Sequence, residues 1–355
     1  MKKETMKALI YHGKANDMSL EDVPVPKIEY PNNAIVRVTL STICGSDMHV
    51  VGGHLGVPGP TLMGHEFVGV VEEVGDAVMD FKPGDRVAVS CVASCGVCGP
   101  CKDGQPVHCT KQNVGCFGVS PNLPGCQTEY VRIPFADNTL YHIPDSLSDE
   151  DVLFVGDILS TGYFGAEMAE IKTGDTVLIV GAGPVGMCAA LCARLFSPSK
   201  IIIVDGIESR LDTCLKAGIV DHVINYMEED VQAKVLELTG GEGVDRAIEA
   251  IGKESSMLTC MDAVRYGGNV AFLGVFSGPV QIPLHRLWNK NMTIRTGFVP
   301  VNRIPELIKM IEAGKLDTSF LITHRAPLND ILKGYDYFGN RKDNCIKWLV
   351  TPYEE

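Results

Sequence analysis

The feature that most constrains the fold is a glycine-rich turn set between an apolar strand and an apolar helix. Residues 176–180 (TVLIV) predict a short buried strand, residues 181–186 read GAGPVG, and residues 187–196 predict a helix. A second predicted strand, residues 200–205, ends in Asp205, 19 positions after the last glycine. A G-x-G-x-x-G sequence alone is a weak signal. With a strand before it, a helix after it and a later acidic residue, it is typical of a dinucleotide-binding βαβ unit.

The same turn predicts how a dinucleotide would bind. Glycines let the backbone approach a pyrophosphate, and the N-terminus of the following helix supplies N–H donors and a favourable dipole. The predicted contacts in the turn are Gly181, Gly183, Pro184, Val185 and Gly186. Asp205 would accept hydrogen bonds from the adenosine ribose hydroxyls and repel a 2′-phosphate, which favours NAD over NADP. Arg210 is the nearby cation that could instead accommodate such a phosphate.

Strands and helices continue to alternate after this unit. The further predicted strands are residues 223–226, 244–250, 268–275 and 292–297, and the helices between them are residues 229–239 and 255–264. This alternation predicts an open, doubly wound parallel sheet with helices on both faces.

The N-terminal part of the chain has a different pattern. Residues 34–40 and 86–89 are β-branched and apolar, and Gly and Pro mark turns at residues 58–60 and 82–85. Short strands separated by such turns predict a barrel-like β domain. At its end, residues 149–169 predict one helix, with Ser148 as the N-cap.

The C-terminal tail predicts helices over residues 304–313 and 331–337, followed by a strand at residues 345–350. That strand has no place in a completed six-stranded parallel sheet. We therefore expect it to return to the β domain.

Thirteen cysteines are many for this length, and four of them form one cluster with the spacing C-x2-C-x2-C-x7-C: Cys95, Cys98, Cys101 and Cys109. Four thiolates can surround zinc tetrahedrally and leave no open position, which predicts a structural site. An iron–sulfur cluster is the alternative, because ferredoxins share part of this spacing. Thr110, rather than the proline usual in ferredoxins, follows the last cysteine, which favours zinc.

Charge and hydropathy exclude several classes of protein. The net charge of −13, without a basic cluster, argues against a nucleic-acid partner. No apolar run reaches the length of a membrane span. The lysines near the N-terminus are not followed by an apolar segment, so we expect no secretory signal and a reducing, cytoplasmic location.

A second group of residues carries metal-ligand chemistry. Residues 62–69 read LMGHEFVG, residues 44–47 read CGSD, and Asp157 follows Gly156. Thiolate, imidazole and carboxylate are zinc ligands, and three protein ligands with one open position are typical of a catalytic site. The sequence thus predicts a second, catalytic metal centre.

Together these motifs resemble the zinc-dependent medium-chain dehydrogenases. The resemblance is carried by Gly64-His65-Glu66 followed by Gly69, by the four-cysteine lobe and by the dinucleotide turn, in that order along nearly the whole chain. Residues 157–162 (DILSTG) resemble the bacterial secondary-alcohol dehydrogenase branch. The resemblance implies an α/β fold with a GroES-like β-barrel catalytic domain, residues 1–158 and 299–355, and a Rossmann NAD-binding domain, residues 159–298.

It also implies roles for single residues. Cys44, His65 and Asp157 would bind the catalytic zinc, with Glu66 as a further ligand or an aid to ligand exchange. Ser46 and His49 would relay the alcohol proton to solvent. The further residues that would contact the cofactor are Thr161, Gly274, Val275 and Lys347, the last through a phosphate.

The function implied is hydride transfer between NAD and a small primary or secondary alcohol or diol, with two zinc ions per chain. Formaldehyde dehydrogenases, aldehyde dismutases, polyol dehydrogenases and threonine dehydrogenases share these motifs and remain alternatives. A non-catalytic dinucleotide-binding protein is disfavoured, because all three catalytic ligands are present. The family forms dimers and tetramers, so we expect a homo-oligomer.

Overall fold

The computed structural model describes residues 4–353, so the ends of the predicted catalytic domain, residues 1–3 and 354–355, lie outside the described residues. The chain forms two compact units. One contains the described residues up to Ser160 and from Pro300 onward, and the other is Thr161–Val299. Within residues 4–353, no helix combines the length and apolarity required to cross a membrane.

Strands and helices are numbered in chain order. The strands are β1 Thr5–Tyr11, β2 Met18–Pro24, β3 Ala34–Thr42, β4 Thr61–Leu62, β5 Phe67–Val74, β6 Arg86–Val89, β7 Val92–Ala93, β8 Gly115–Cys116, β9 Tyr130–Ile133, β10 Leu140–His142, β11 Thr176–Val180, β12 Lys200–Asp205, β13 His222–Asn225, β14 Val244–Glu249, β15 Val264–Phe272, β16 Thr293–Thr296, β17 Ile322–Pro327 and β18 Lys347–Thr351. The α-helices are α1 Gly45–Val51, α2 Gly99–Lys102, α3 Ala136–Thr139, α4 Asp149–Val152, α5 Ile158–Met168, α6 Pro184–Ala193, α7 Glu208–Lys216, α8 Val231–Leu238, α9 Glu254–Ala263, α10 Leu284–Leu287, α11 Ile304–Glu312 and α12 Ile331–Gly339.

The first unit is built around β3. This strand pairs antiparallel with β5, β9 and β18, in a sheet ordered β10-β6-β5-β3-β18-β17. Apolar side chains of β3, β5, β6 and β9 form one buried core cluster with Phe117 and Leu123. Leu349 of β18 lies opposite Thr42 of β3, which confirms that the C-terminal strand returns to the β domain.

The second unit contains a six-stranded parallel sheet ordered β13-β12-β11-β14-β15-β16. The strand order reverses beside β11, so the carboxyl end of β11 lies at the switch point where such sheets bind ligands. Predicted strand 268–275 ends early, at Phe272, because the N–H groups of Leu273 and Gly274 donate to the Glu249 carbonyl at 2.8 and 3.3 Å. The predicted open parallel sheet is confirmed.

The predicted single helix over residues 149–169 is wrong. Ser148 does cap α4, accepting a hydrogen bond from the Asp151 N–H at 3.3 Å, but a 3-10 turn follows α4 and the backbone leaves the helical region at Asp157 (φ −141°, ψ −84°). The Gly156 carbonyl accepts a hydrogen bond from Cys91 N–H at 2.9 Å instead of continuing a helix. Contact with the β domain therefore breaks the helix beside Asp157.

Candidate metal centres and dinucleotide site

Three ligand-type side chains converge in the first unit. Cys44 precedes α1, His65 precedes β5, and Asp157 lies at the break before α5. Their ligand atoms all lie within 4.8 Å of one another, with Asp157 Oδ2 at 3.3 Å from His65 Nε2 and 3.5 Å from Cys44 Sγ. All three residues are buried. One cation can therefore reach all three donor groups.

The electrostatics of this cluster fit a bound cation. Burial, followed by the nearby charges of Glu66 and Asp157, raises the pKa of the Cys44 thiol to about 11. Burial alone would lower the pKa of His65, but Asp47 and Cys44 raise it well above its usual value. A divalent ion would reverse both effects, since it favours thiolate and neutral imidazole as ligands. A thiolate, an imidazole and a carboxylate are a suitable donor set for zinc.

Glu66 and Lys347 form a fully buried ion pair behind this centre. Both side chains have no exposed area, and the Lys347 ammonium donates to Glu66 Oε2 and, at 3.1 Å, to the Ile43 carbonyl. Burial alone would lower the pKa of Lys347, but Glu66 and Cys44 together raise it. The assignment of Lys347 to a cofactor phosphate is not supported, because its ammonium is enclosed and already paired. Glu66 Oε1 is buried and has no hydrogen-bond partner among the described residues.

The four lobe cysteines form a second cluster, with all four sulfurs within 4.8 Å of one another. Cys98 Sγ lies 3.4 Å from Cys101 Sγ and 3.8 Å from Cys109 Sγ. Sulfurs bound at 2.3 Å around one tetrahedral zinc lie roughly 3.8 Å apart, so one ion fits. An iron–sulfur cube would separate the sulfurs further, because each cysteine binds a different iron.

Backbone donors in the lobe are arranged for thiolates. The N–H groups of Cys98 and Cys95 point to Cys95 Sγ and Cys109 Sγ, each at 3.4 Å. Backbone hydrogen bonds from Thr110 and Cys101 lower the pKa of the Cys98 thiol to about 6. Burial, which is the largest cause at both residues, raises the pKa of Cys101 and of Cys109, so without a metal the loop favours a thiolate at Cys98 only.

In the second unit, the glycine turn leaves open space where a phosphate would lie. Gly181 has φ +109°, and a Cβ on Gly186 would lie 1.8 Å from the Gly181 carbonyl oxygen. A Cβ on Gly183, by contrast, would meet no atom closer than Arg210 Nη1 at 3.9 Å. Two glycines therefore allow the tight turn. The third leaves the N-terminus of α6, which begins at Pro184 and Val185, uncovered.

Asp205 stands beside this turn, at the carboxyl end of β12. Its Oδ2 accepts the Ala182 N–H at 2.7 Å, and its Oδ1 accepts the N–H groups of Gly206 and Ile207 at 2.8 and 3.0 Å. These backbone donors hold the carboxylate in one orientation next to the glycine turn. Arg210 also lies near the turn, beside Gly183.

Comparison with known proteins fits both units. Residues 30–145 match the alcohol dehydrogenase GroES-like domain, and residues 184–313 match the zinc-binding dehydrogenase domain. An alcohol dehydrogenase of Cupriavidus necator is 38% identical over 98% of this chain and 99% of its own length. The chain belongs to the zinc-binding alcohol dehydrogenase family. The predicted fold class, an α/β protein with a GroES-like β-barrel domain and a Rossmann domain, is thereby confirmed.

Solved structures of this family have the same fold. Zinc-dependent alcohol dehydrogenase 2 of Streptococcus pneumoniae, in its apo form, is 40% identical with a TM-score of 0.91, covering 99% of each chain. Alcohol dehydrogenase TADH of Thermus sp. ATN1 is 34% identical with a TM-score of 0.91, covering 98% of this chain and 99% of its own. This enzyme is therefore an oxidoreductase.

The structure places the other predicted site residues of the enzyme in less close contact with one another. Ser46 Oγ lies 3.9 Å from Cys44 Sγ, in the first turn of α1, and His49 lies in its last turn. No hydrogen bond joins Ser46 to His49 within residues 4–353. Thr161 lies half-buried in α5, and Val275 is exposed after β15.

A buried polar chain lies behind His65 in the enzyme, and sequence reasoning missed two of its members, Gln127 and Tyr335. Asp47 Oδ1 lies 3.2 Å from His65 Nδ1, and its Oδ2 accepts the Cys44 N–H at 2.9 Å and the Gln127 amide at 3.2 Å. The Tyr335 hydroxyl donates to Gln127 Oε1 at 2.8 Å. Gln127 and Tyr335 carried no motif.

Glu249 was also missed, although it organises the segment around Gly274. Its Oε1 accepts the N–H groups of Ile251 and Gly252, both at 2.8 Å, and the Ser256 hydroxyl at 2.6 Å. A Cβ on Gly274 would lie 2.0 Å from Gly252 N, so the two loops cross in close contact. The available signal was an acid at the end of a predicted strand, where a buried charge needs donors.

Proposed function

We propose that the enzyme oxidises a small primary or secondary alcohol or diol to its aldehyde or ketone with NAD, and catalyses the reverse reaction. The observation that carries this proposal is the convergence of Cys44, His65 and Asp157 within 4.8 Å. A non-catalytic relative would not need to keep this buried donor set.

The residues proposed to hold the catalytic zinc are Cys44, His65 and Asp157, with Glu66 as a conditional fourth ligand. Bound there, zinc acts as a Lewis acid that acidifies an alcohol or polarises a carbonyl. The free Oε1 of Glu66 supports the conditional role, because it has an unused lone pair. Cys95, Cys98, Cys101 and Cys109 are proposed to hold a second, structural zinc.

NAD is proposed to bind at the glycine turn, with its pyrophosphate over Gly183 and the N-terminus of α6. The Asp205 carboxylate supports NAD over NADP, because it would accept the ribose hydroxyls and repel a 2′-phosphate. Gly274, Val275 and Thr161 are proposed to contact the nicotinamide end, where bound NAD accepts the hydride.

Ser46 and His49 are proposed to carry the alcohol proton. Ser46 Oγ, 3.9 Å from Cys44 Sγ, would take the proton near the metal ligands. His49, which is half-buried, would pass it from its ring nitrogen to solvent. Burial, together with His54, lowers the pKa of His49, so its ring is available as a base at neutral pH.

Further proposals concern the domains, the cellular location and the oligomeric state of the enzyme. We assign residues 1–158 and 299–355 to catalysis and residues 159–298 to NAD binding. A reducing cytoplasm would keep the four lobe cysteines free of disulfides and available to zinc. We also propose a homo-oligomer.

The test compares Asp157→Ala with Asp145→Ala, an exposed acid outside both clusters. Zinc content should fall from about two to about one per chain in the first variant and stay unchanged in the second. NAD-dependent oxidation of a panel of alcohols should be lost only with Asp157→Ala. Ser46→Ala should keep both zincs and lose most turnover. Full activity in Asp157→Ala would contradict the proposal.

The substrate panel should include primary and secondary alcohols, diols, polyols, threonine and formaldehyde, each with NAD and with NADP. Preference for threonine, polyols or formaldehyde would replace the proposed substrate class by one of the alternatives. Preference for NADP would show that Asp205 does not select the cofactor.

A further inference from the structure

A second histidine stands against the proposed relay base. His54 lies three residues beyond α1, and its ring meets that of His49 edge-on, with centroids 5.7 Å apart and planes at 62°. The His54 N–H donates to the His49 carbonyl at 2.9 Å. Both the backbone and the ring of His54 therefore contact His49. No sequence motif pointed to His54.

Two glycines make this return of the chain possible. A Cβ on Gly52 would lie 2.8 Å from His54 Cε1, and Gly53 has φ +74°, a conformation that favours glycine. Beside the turn, the Asn16 N–H donates to the Val51 carbonyl at 2.9 Å. The segment after α1 is therefore shaped to bring one imidazole against another.

We propose that His54 is a positioning residue for proton transfer, which opposes a positive charge on the neighbouring His49 ring and so keeps that ring neutral. This inference rests on the proposed function, in which His49 is the outer base of the relay. His54 is exposed whereas His49 is half-buried, so a positive charge on the pair is better hydrated on His54 than on His49.

Electrostatics supports this arrangement. Burial lowers the pKa of His49, and His54 lowers it further, because two adjacent imidazolium rings repel. The β1–β2 turn that packs beside α1 carries Lys14 and Asp17, and the segment after α12, whose Gly339 lies against Met48, carries Arg341 and Lys342. Among residues 4–353, the charge that lowers the pKa of His49 is that of His54. Zinc at Cys44 would act equally in every variant.

The test uses two substitutions with opposite electrostatic effects in the zinc-loaded enzyme. His54→Gln removes the repelling charge and should move the acidic limb of the kcat/KM profile for alcohol oxidation to higher pH. His54→Lys makes the charge permanent and should move that limb to lower pH. The alkaline plateau should be retained in both. His285→Gln, an exposed histidine of the second unit, is the matched control and should leave the profile unchanged.

NMR titration of the His49 ring, assigned by its loss in His49→Gln, should show the same opposite shifts without substrate. Equal shifts in both His54 variants, or none, would overturn the inference. If His49→Gln abolishes the acidic limb but the His54 variants do not move it, the proposed function stands and the inference about His54 is wrong. If the wild-type enzyme does not oxidise alcohols, the proposed function is wrong. The NMR titration would still test whether the charge of His54 affects the pKa of His49.

Discussion

At the scale of single residues, the least predictable feature is the pair formed by Glu66 and Lys347. The two residues are 281 positions apart, and neither side chain has exposed area. Removing one partner of such a pair leaves an uncompensated charge away from water. Lys347 therefore balances Glu66, next to Asp157 and the Cys44 thiol of the proposed zinc centre.

Lys347→Met should destabilise the enzyme by about 3–5 kcal/mol, because it leaves Glu66 buried and unpaired. Urea unfolding of the zinc-loaded protein measures this loss. Lys342→Met is the matched control, since its pair with Asp336 is about half exposed and should contribute little. Adding Glu66→Gln to Lys347→Met should restore part of the lost stability. Equal stability of the two lysine variants would contradict this account.

At the scale of elements, the break between α4 and α5 determines where the third ligand lies. A continuous helix through residues 149–169 would give Asp157 helical backbone angles, which differ from those observed. The break is imposed by packing, because a Cβ on Gly156 would lie 2.1 Å from the Val89 carbonyl oxygen at the end of β6. Gly156, which precedes the proposed ligand Asp157, is therefore required because the two backbones approach closely at this point.

Gly156→Ala should displace Asp157 and weaken the catalytic zinc site. Zinc content should fall from about two to about one per chain, with the four-cysteine site retained, and turnover should fall with it. Gly278→Ala, where an added Cβ meets nothing within 4 Å, should keep both zincs and full activity. Metal analysis of the purified variants decides the outcome. Two zincs in Gly156→Ala would show that the close contact does not position the ligand.

At the scale of the whole molecule, one edge of the six-stranded sheet is uncovered. β16 forms this edge and pairs only with β15 in the described chain. Exposed apolar side chains lie on β16 and on both sides of it in sequence: Leu284, Trp288, Ile294 and Phe298, with Trp288 76% exposed. Natural proteins rarely leave such an edge unprotected. We therefore expect β16 of a second copy to cover it, giving an antiparallel pair about a two-fold axis.

If the proposed oligomer forms through β16, Ile294→Lys should convert it to smaller species, because two copies would bring like charges together at the joined edge. Sedimentation velocity of the zinc-loaded protein measures the change. Leu236→Lys is the control, since Leu236 and Ile294 are both 36% exposed but Leu236 lies on α8. Loss of the oligomer in both variants, or in neither, would exclude β16 as the interface.

Much of the fold was predictable from local patterns. The glycine turn and the alternating strands and helices depend on residues close together in sequence. The return of β18 to β3 was expected because the completed parallel sheet has no place for it. The errors lie where tertiary contacts override local preference. The helix over residues 149–169 breaks because Gly156 packs on β6. The strand predicted over residues 268–275 instead spans Val264–Phe272, and the N–H groups of Leu273 and Gly274 beyond it both donate to the Glu249 carbonyl.

The sequence by itself determined the elements whose chemistry is local. The four lobe cysteines span a short loop that can surround one ion, and the glycine turn needs only its own backbone conformation. Tertiary structure alone decided which distant groups meet. Cys44 and Asp157, 113 positions apart, reach 3.5 Å, and Lys347 reaches Glu66 rather than a phosphate. The physical reason is that a side chain's partner in a buried site is set by how strands and helices pack, and sequence spacing does not encode that packing.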